Sequence, residues 1–361
     1  METMVNKAFW KGKKVLITGH TGFKGSWLSI LLNWLEADVY GYSLDPPTSP
    51  SLYKLAKVDK LLDSTIGDIR DFKLLQKTIK KVKPEVVIHL AAQPLVMESY
   101  RNPRETYEIN VMGTVNLLDA IRLEHGIKAI LNVTSDKCYE NKEWLWGYRE
   151  NEPMGGYDPY SNSKGCSELV TSSFRTSFFN PNDYSKHGVA LASARAGNVL
   201  GGGDWAQDRL VPDFFRAIIR GEKLKIRSPY AIRPWQHVVD PLSGYLMLCE
   251  KLCSNGPEYT GGWNFGADIN DARNVEWIVS RICELWSNDA VYEVDNAIQP
   301  HEANYLKLDC TKARTLLSWN PKWNVETTLE MVVDWYKLYQ NNADMRNACI
   351  HQIEQYFINN K

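Results

Sequence analysis

Near the start of the chain Val15, Leu16 and Ile17 form a short apolar run that stops at Thr18-Gly19, and a glycine-punctuated loop then leads directly into a helix. Such an unalternated run marks a strand buried on both faces, which is the habit of parallel sheets. Phe23, Trp27, Leu28, Leu31, Leu32 and Leu35 follow at steps of three and four, predicting a helix with one apolar face to lay on that sheet. The alternation then repeats. Residues 38–44, 64–68, 85–92, 129–134 and 189–194 read as further strands, with helices over 72–82, 103–125 and 160–179 between them. Parallel neighbours need crossovers, and right-handed helical crossovers are nearly the only kind found. The expected class is therefore α/β, a doubly wound parallel Rossmann sheet with helices on both faces.

After about Arg195 the pattern loosens. Gly201-Gly202-Gly203, Pro212, Pro229, Pro234, Pro241 and Gly261-Gly262 punctuate short elements. Residues 1–194 should form the dinucleotide-binding domain. Residues 195–361 should form mainly a smaller mixed substrate-binding region that closes over it and is able to return elements to the first domain.

With 42 basic against 43 acidic residues the net charge is −1, so no basic surplus points to nucleic acid. An anionic ligand would have to be held by a few placed arginines and backbone N–H groups. The seven cysteines are odd in number and scattered, which argues against a disulfide framework. Cys249 and Cys253 lie one helical turn apart, but no second Cys/His pair accompanies them, and no metal is expected. Neither a leader pattern at residues 1–10 nor a stretch of about twenty apolar residues is present, which predicts a cytoplasmic protein with no membrane partner.

Thr18-Gly19-His20-Thr21-Gly22-Phe23-Lys24-Gly25 stands where a dinucleotide pyrophosphate would meet a helix N-terminus. Gly19 permits the tight turn, Gly22 lets backbone approach phosphate, and Gly25 allows close packing of the helix; Thr21, Phe23 and Lys24 complete the loop. At the end of the second strand Ser43 takes the place where an acid would usually hold the ribose. Asp68-Ile69 after the third strand is a candidate for the adenine side, and Ala91, Ala92 and Gln93 for the nicotinamide side.

Tyr160 and Lys164 are one helical turn apart and share a face. An ammonium beside a phenol stabilises phenolate, as would a cationic nicotinamide, which suits Tyr160 to deprotonate a sugar hydroxyl. Strand five ends in Thr134-Ser135-Asp136-Lys137, at the carboxyl edge where ligands of such folds bind. Ser135 can hydrogen-bond the same hydroxyl, while Asp136 and Lys137 add more titratable groups than hydride transfer needs.

The glycine loop, Leu90-Ala91-Ala92, Asn110 and Tyr160-x-x-x-Lys164 together resemble the extended short-chain dehydrogenase/reductase family of nucleotide-sugar epimerases and dehydratases, over nearly the whole chain. The end of strand five resembles the 4,6-dehydratases within it, although these usually carry Thr-Asp-Glu where this chain has Ser135-Asp136-Lys137. The strings 19–27, Arg195 to Trp205, Ile232 to Val238 and His301 to Ala303 narrow the resemblance to the branch acting on CDP-D-glucose.

The resemblance implies bound NAD, with contacts at the loop residues, Ser43, Asp68, Ile69, Ala91 to Gln93, Asn110, Tyr160 and Lys164. It implies Ser135, Asp136, Lys137, Tyr160 and Lys164 as catalytic, with Asp136 as acid for the C6 hydroxyl and Lys137 as base at C5. An unperturbed lysine is protonated near neutrality, so that last role requires a depressed pKa. Arg195, Asn198, Leu210, Val211, Arg233, Trp235 and His301 would face the substrate, and the protein would be a homodimer or a dimer of dimers. The implied pathway is 3,6-dideoxyhexose synthesis for O-antigen.

Overall fold

The computed structural model describes residues 5–226, 228–286, 290–295 and 305–358. Six strands follow in chain order: β1 (Lys14–Thr18), β2 (Asp38–Ser43), β3 (Asp63–Ile66), β4 (Val86–His89), β5 (Ala129–Val133) and β6 (Ala190–Ala196). Beyond them come β7 (Asn198–Leu200), β8 (Leu224–Ile226), β9 (Ile232–His237), β10 (Gly261–Phe265), β11 (Ala272–Asn274) and β12 (Tyr292–Val294). The main sheet has seven strands in the order β10-β6-β5-β4-β1-β2-β3, with every pairing parallel. The doubly wound sheet read from the alternation is thus borne out.

The strand residues divide between two cores as a period of two requires. Val15 and Ile17 join the core on one side and Leu16 the other; Leu131 and Ile130 on β5 do the same. Each such side chain stabilises the fold by about 1.5–3 kcal/mol when fully buried.

Three elements depart from the sequence reading. The Phe23–Trp34 helix is buried on nearly all sides, Ser26, Ser29 and Ile30 included. The Met345–Ile358 helix returns to cover its outer face, stacking Phe357 on Trp34 at 5.7 Å. The stretch 103–125 is a helix from Pro103 to Arg122 interrupted by a π-turn at Glu108–Met112, with Asn110 at its centre. The Gly261-Gly262 pair opens β10 rather than a loop. Trp263 and Phe265 anchor that strand in the core, and a Cβ on Gly262 would stand 2.6 Å from the Arg195 guanidinium.

The remainder of the second half builds a small mixed sheet, β11-β9-β7, and a two-stranded piece, β12-β8, packed with helices. The Val239–Tyr259 helix packs on β5 and β6 of the main sheet; on it Cys249 is wholly buried and Cys253 packs against the same core. Among the described residues no helix is long and apolar enough to cross a membrane.

Candidate active site

β1 pairs with both β2 and β4, so the connections after β1 and β4 diverge and leave a crevice at their carboxyl ends. The glycine loop fills one wall. Gly19 has φ +80°, and a Cβ there would lie 2.7 Å from the Ala91 nitrogen; a Cβ on Gly25 would collide with the Gly19 carbonyl. At Gly22 the nearest atom would be 3.4 Å away, so the fold itself does not demand glycine at that position. The Phe23–Trp34 helix starts from Gly22 without a side-chain cap, which leaves its first N–H groups to receive an anion. These features fit a dinucleotide pyrophosphate. Phe23 reaches across to Gly201, tying the loop to the second half.

The Thr21 and Ser43 hydroxyls are 2.8 Å apart, and Thr21 also donates to the Leu44 carbonyl. Below the loop His20 bonds Ser64 at 2.8 Å, and burial pushes its imidazole down to about 4, so it is neutral. Asp68 and Ile69, expected on the adenine side, follow β3. The Asp68 carboxylate is held by Arg70 at 2.6 Å, and Ile69 is buried in the core against Gly113. Ala91 and Ala92 lie half-buried beyond β4, where the Ala91 N–H donates to Thr18 Oγ1. The Gln93 N–H donates to Asn110 Oδ1 at 2.8 Å, and Asn110 Nδ2 donates to Ser163 Oγ and to the Gln93 carbonyl. Asn110 therefore fixes the Gln93 turn to the Pro159–Ser177 helix through its π-turn.

That helix carries Tyr160 and Lys164, and its start is set by Pro159 in the first turn and Asp158 capping the Ser161 N–H. A run of buried polar residues locks it to the sheet. Ser167 and Thr171 accept from Asn132, and Ser167 also bonds Thr114. Glu168 accepts from Thr134, Ser193 and Arg195 at 2.5, 2.7 and 2.8 Å. Burial opposes its ionisation, yet the Arg195 guanidinium and those hydroxyls hold its carboxyl below the ordinary range. Lys164 Nζ donates to the Val133 carbonyl at 3.4 Å, and burial lowers it to about 8.

Tyr160 stands at the mouth of this array. Burial raises its phenol to about 12, and the groups pulling it back are Ser135 and Arg209 rather than the neighbouring lysine. Ser135 Oγ donates to Asp136 Oδ1 at 2.9 Å and accepts from the Lys137 N–H. Asp136 is almost wholly buried; burial raises its carboxyl above the ordinary range, against Lys137, Ser135 and Arg233. Such a carboxyl keeps its proton longer than an exposed one.

The residues expected at the substrate do not all converge. Arg195 is spent within the floor: its guanidinium donates to Glu168, to the Tyr139 hydroxyl at 2.6 Å and to the Glu150 carbonyl at 3.0 Å. Val211 is buried in the core, Leu210 packs against it, and the buried Trp235 donates its indole N–H to the Arg273 carbonyl. Arg233, by contrast, lies close enough to Asp136 to act on its ionisation. Asn198 has a buried Nδ2 without a hydrogen-bond partner among the described residues. His301 lies outside the described residues.

Two neighbours of the site carried no sequence signal. Arg209, anchored to Asp204 at 2.9 Å, acts on both Tyr160 and Lys24. The sequence points to the adjacent Leu210 and Val211, but nothing distinguishes Arg209 from a surface arginine until the chain folds. Tyr245, in the middle of the Val239–Tyr259 helix, is wholly buried and influenced by Asp136 and Tyr160.

A family model described as GDP-mannose 4,6 dehydratase matches residues 16–332. The chain belongs to that dehydratase family. Within it the chain is 55% identical over 353 residues, 98% of each, to a Salmonella typhimurium protein named CDP-glucose 4,6-dehydratase. An epimerase of Methanothermobacter thermautotrophicus has the same fold, with a TM-score of 0.78 at 22% identity over 93% of this chain and 96% of that one. So has the UDP-glucose 4-epimerase of Brucella ovis in complex with NAD, with a TM-score of 0.75 at 23% identity over 90% and 98%. The family resemblance carried by the motifs is thereby borne out, and the dehydratase family supplies the frame in which Asp136 and Tyr160 are to be understood.

Proposed function

We propose that the chain converts CDP-D-glucose to CDP-4-keto-6-deoxy-D-glucose and water, with NAD retained through the cycle. The observation that carries this is the buried Asp136, a carboxyl biased towards its protonated form and set beside Ser135 and Tyr160. A 4-epimerase needs the Tyr160 phenol but no second acid, whereas loss of water needs a proton donor for the C6 hydroxyl. The 55% identity across 98% of both chains to the protein named CDP-glucose 4,6-dehydratase supports the choice of sugar and nucleotide. The NAD named with the Brucella epimerase supports the cofactor.

The crevice would hold NAD, whose chemistry there would be reversible acceptance of hydride, between C4 and C6 of the sugar. The loop from Gly19 to Gly25 would hold its pyrophosphate, with Gln93 and Asn110 shaping the other side of the crevice. Tyr160 would take the proton of the C4 hydroxyl as phenolate, a form that Ser135, Arg209 and the positive nicotinamide of bound NAD would favour against the burial that raises it. The resulting 4-ketone acidifies C5, whose proton would go to Lys137, while Asp136 donates to the departing C6 hydroxyl. Once C6 has become a methyl group the proton returns to C5, so atoms balance as substrate against product plus water. Asn198 and Arg233 would face the sugar diphosphate.

The protein would work in the cytoplasm as a homodimer or dimer of dimers. Exposed Met112 and Leu169, on the Pro103–Arg122 and Pro159–Ser177 segments, offer apolar surface for that pairing. The product would feed the synthesis of 3,6-dideoxyhexoses for O-antigen.

CDP-D-glucose carrying deuterium at C4 tests the reading. Product with deuterium in its C6 methyl group, with no crossover between labelled and unlabelled molecules, is the expected result. Label retained at C4 of an epimerised sugar would replace it with a 4-epimerase.

A further inference from the structure

We infer that Gly197 admits the C6 hydroxyl of the sugar to the Asp136 carboxyl, so that the missing side chain at this one position fits the site to a hexose. The inference rests on the reading of the reaction as a 4,6-dehydration. Gly197 is the single residue between β6 and β7. β6 runs beside β5, and the Thr134 N–H donates to the Ala194 carbonyl, which brings Gly197 next to Asp136 just beyond the end of β5. The backbone does not ask for glycine here. Unlike Gly19, Gly197 lies outside the positive-φ region, so its conformation is not one reserved for glycine. Packing does not ask for it in the way it does at Gly25. Among the described residues other than its chain neighbours, a Cβ on Gly197 would meet only Asp136 within 4 Å, with Oδ2 at 3.3 Å and Cγ at 3.9 Å. What a side chain would fill is the space in front of that oxygen.

Oδ1 of Asp136 already accepts from Ser135 Oγ at 2.9 Å, so the proton of the acid form belongs on Oδ2. Asp136 is only 4% exposed, which leaves little choice of approach to that oxygen. A hydroxyl that hydrogen-bonds a carboxyl stands about 2.7–2.8 Å from it, and a methyl group on residue 197 would claim the same face of Oδ2. Loss of water breaks the C6–O bond. One proton passes from Oδ2 to the leaving oxygen, one leaves C5 for a base, and the electron pair of the C5–H bond forms the C5–C6 double bond. The next residue, Asn198, carries a buried Nδ2 without a partner among the described residues, so the same bend of chain offers the sugar a donor. Oxidation at C4 depends on Tyr160 and makes no demand on the space at Gly197. A side chain there therefore separates the two halves of the reaction.

The experiment compares two sugars that differ at C6. Full-length wild type, Gly197→Ala and Gly197→Ser, each with NAD added, would be given CDP-D-glucose, with the 4-keto-6-deoxy product measured by chromatography and enzyme-bound NADH by its near-ultraviolet absorbance. Gly197→Ala should slow product formation about hundredfold, the order expected when a reacting group is displaced by about 1 Å. Oxidation at C4 should slow much less, so bound NADH accumulates. CDP-D-xylose, which has no C6, should bind all three proteins with nearly the same dissociation constant, read by quenching of intrinsic fluorescence. Gly197→Ser places a hydroxyl of its own at Oδ2 and should be at least as slow, and it serves as the second variant should the Ala protein fail to fold. Product formation at the wild-type rate in the variants would overturn the inference. Equal weakening of CDP-D-xylose would overturn it too, by making Gly197 a matter of backbone placement. Wild-type protein that yields no 4-keto-6-deoxy product from CDP-D-glucose would overturn the proposed reaction and this inference with it.

Discussion

The floor of the crevice and the segment that faces it treat buried polar groups in opposite ways. On the floor the Pro159–Ser177 helix is tied to β5 and β6 through Asn132, Ser167, Thr171, Thr134, Ser193, Glu168 and Arg195, each with at least one partner, and only Arg195 Nε of this set is left buried without one among the described residues. In the second half Asn198 Nδ2, Trp205 Nε1, Gln236 Oε1 and the Tyr245 hydroxyl are buried without hydrogen-bond partners among the described residues. Leaving one such group unsatisfied costs about 1–3 kcal/mol, so a fold concentrates them where something else completes them. The floor is organised in advance to hold Tyr160 and Lys164 still. Asn198, next to Gly197 at Asp136, and Tyr245, near Asp136 and Tyr160, are placed to meet a ligand, whereas Trp205 packs among Tyr336 and Tyr339.

Two arginines show the contrast most directly. Arg195 and Arg233 both looked suited to the substrate. Arg195 is enclosed by Glu168, Tyr139 and Glu150, whereas Arg233 bears on Asp136. If that division is right, Arg195→Met should destabilise the protein by about 3–5 kcal/mol by leaving the Glu168 charge buried and unpaired. Urea unfolding would measure the loss, and KM for the nucleotide sugar should stay unchanged in the fraction that remains folded. A raised KM at unchanged stability would instead move Arg195 to the substrate side and break the comparison.

A carboxyl in the second half allows a test by pH. Asp240 is wholly buried; it accepts from the Tyr356 hydroxyl and the Lys322 N–H through Oδ1, while Oδ2 has no partner among the described residues. Burial raises it from 3.8 to about 7. In that interval the folded protein keeps a proton the unfolded chain has released, so stability is greatest at the acid end and declines as pH rises towards 7. Thermal unfolding of wild type and Asp240→Asn from pH 4 to 8 should show a decline of at most a few kcal/mol that the variant lacks. Parallel curves for the two proteins would show that Asp240 is satisfied as an ion, and would weaken the picture of an under-satisfied second half.

The smallest expected effect is the sharpest probe of the facing segment. Asn198→Ala removes a donor with no hydrogen-bond partner among the described residues, so the melting temperature should hardly change. Loss of one hydrogen bond to substrate should raise KM about tenfold, the equivalent of roughly 1.4 kcal/mol. A fall in stability with KM unchanged would show that Asn198 belongs with the structural network of the floor.

Local chemistry was enough to reveal the sheet, the glycine loop and the Tyr160/Lys164 face. A buried parallel strand has to be apolar without alternation, only glycine accepts φ +80° against the Ala91 nitrogen, and residues four apart on a helix share a side. The motif strings also carried enough information to indicate the family. Other features depend on which distant segments meet, and no window of sequence contains that meeting. β10 opens with two glycines and becomes a strand because β6 offers an unpaired edge and the Arg195 side chain needs the space above Gly262. Arg195 looked like a ligand for phosphate until Glu168 was found beneath it, 27 positions earlier in the chain. Lys24, Arg209 and Tyr245 come from three separate stretches, and they form one charged wall of the crevice only after the second half has folded over the first. Backbone preference and hydrophobic period act within a few residues and so are written along the chain. The partner of a buried charge is chosen by packing, and that was decided by the tertiary structure alone.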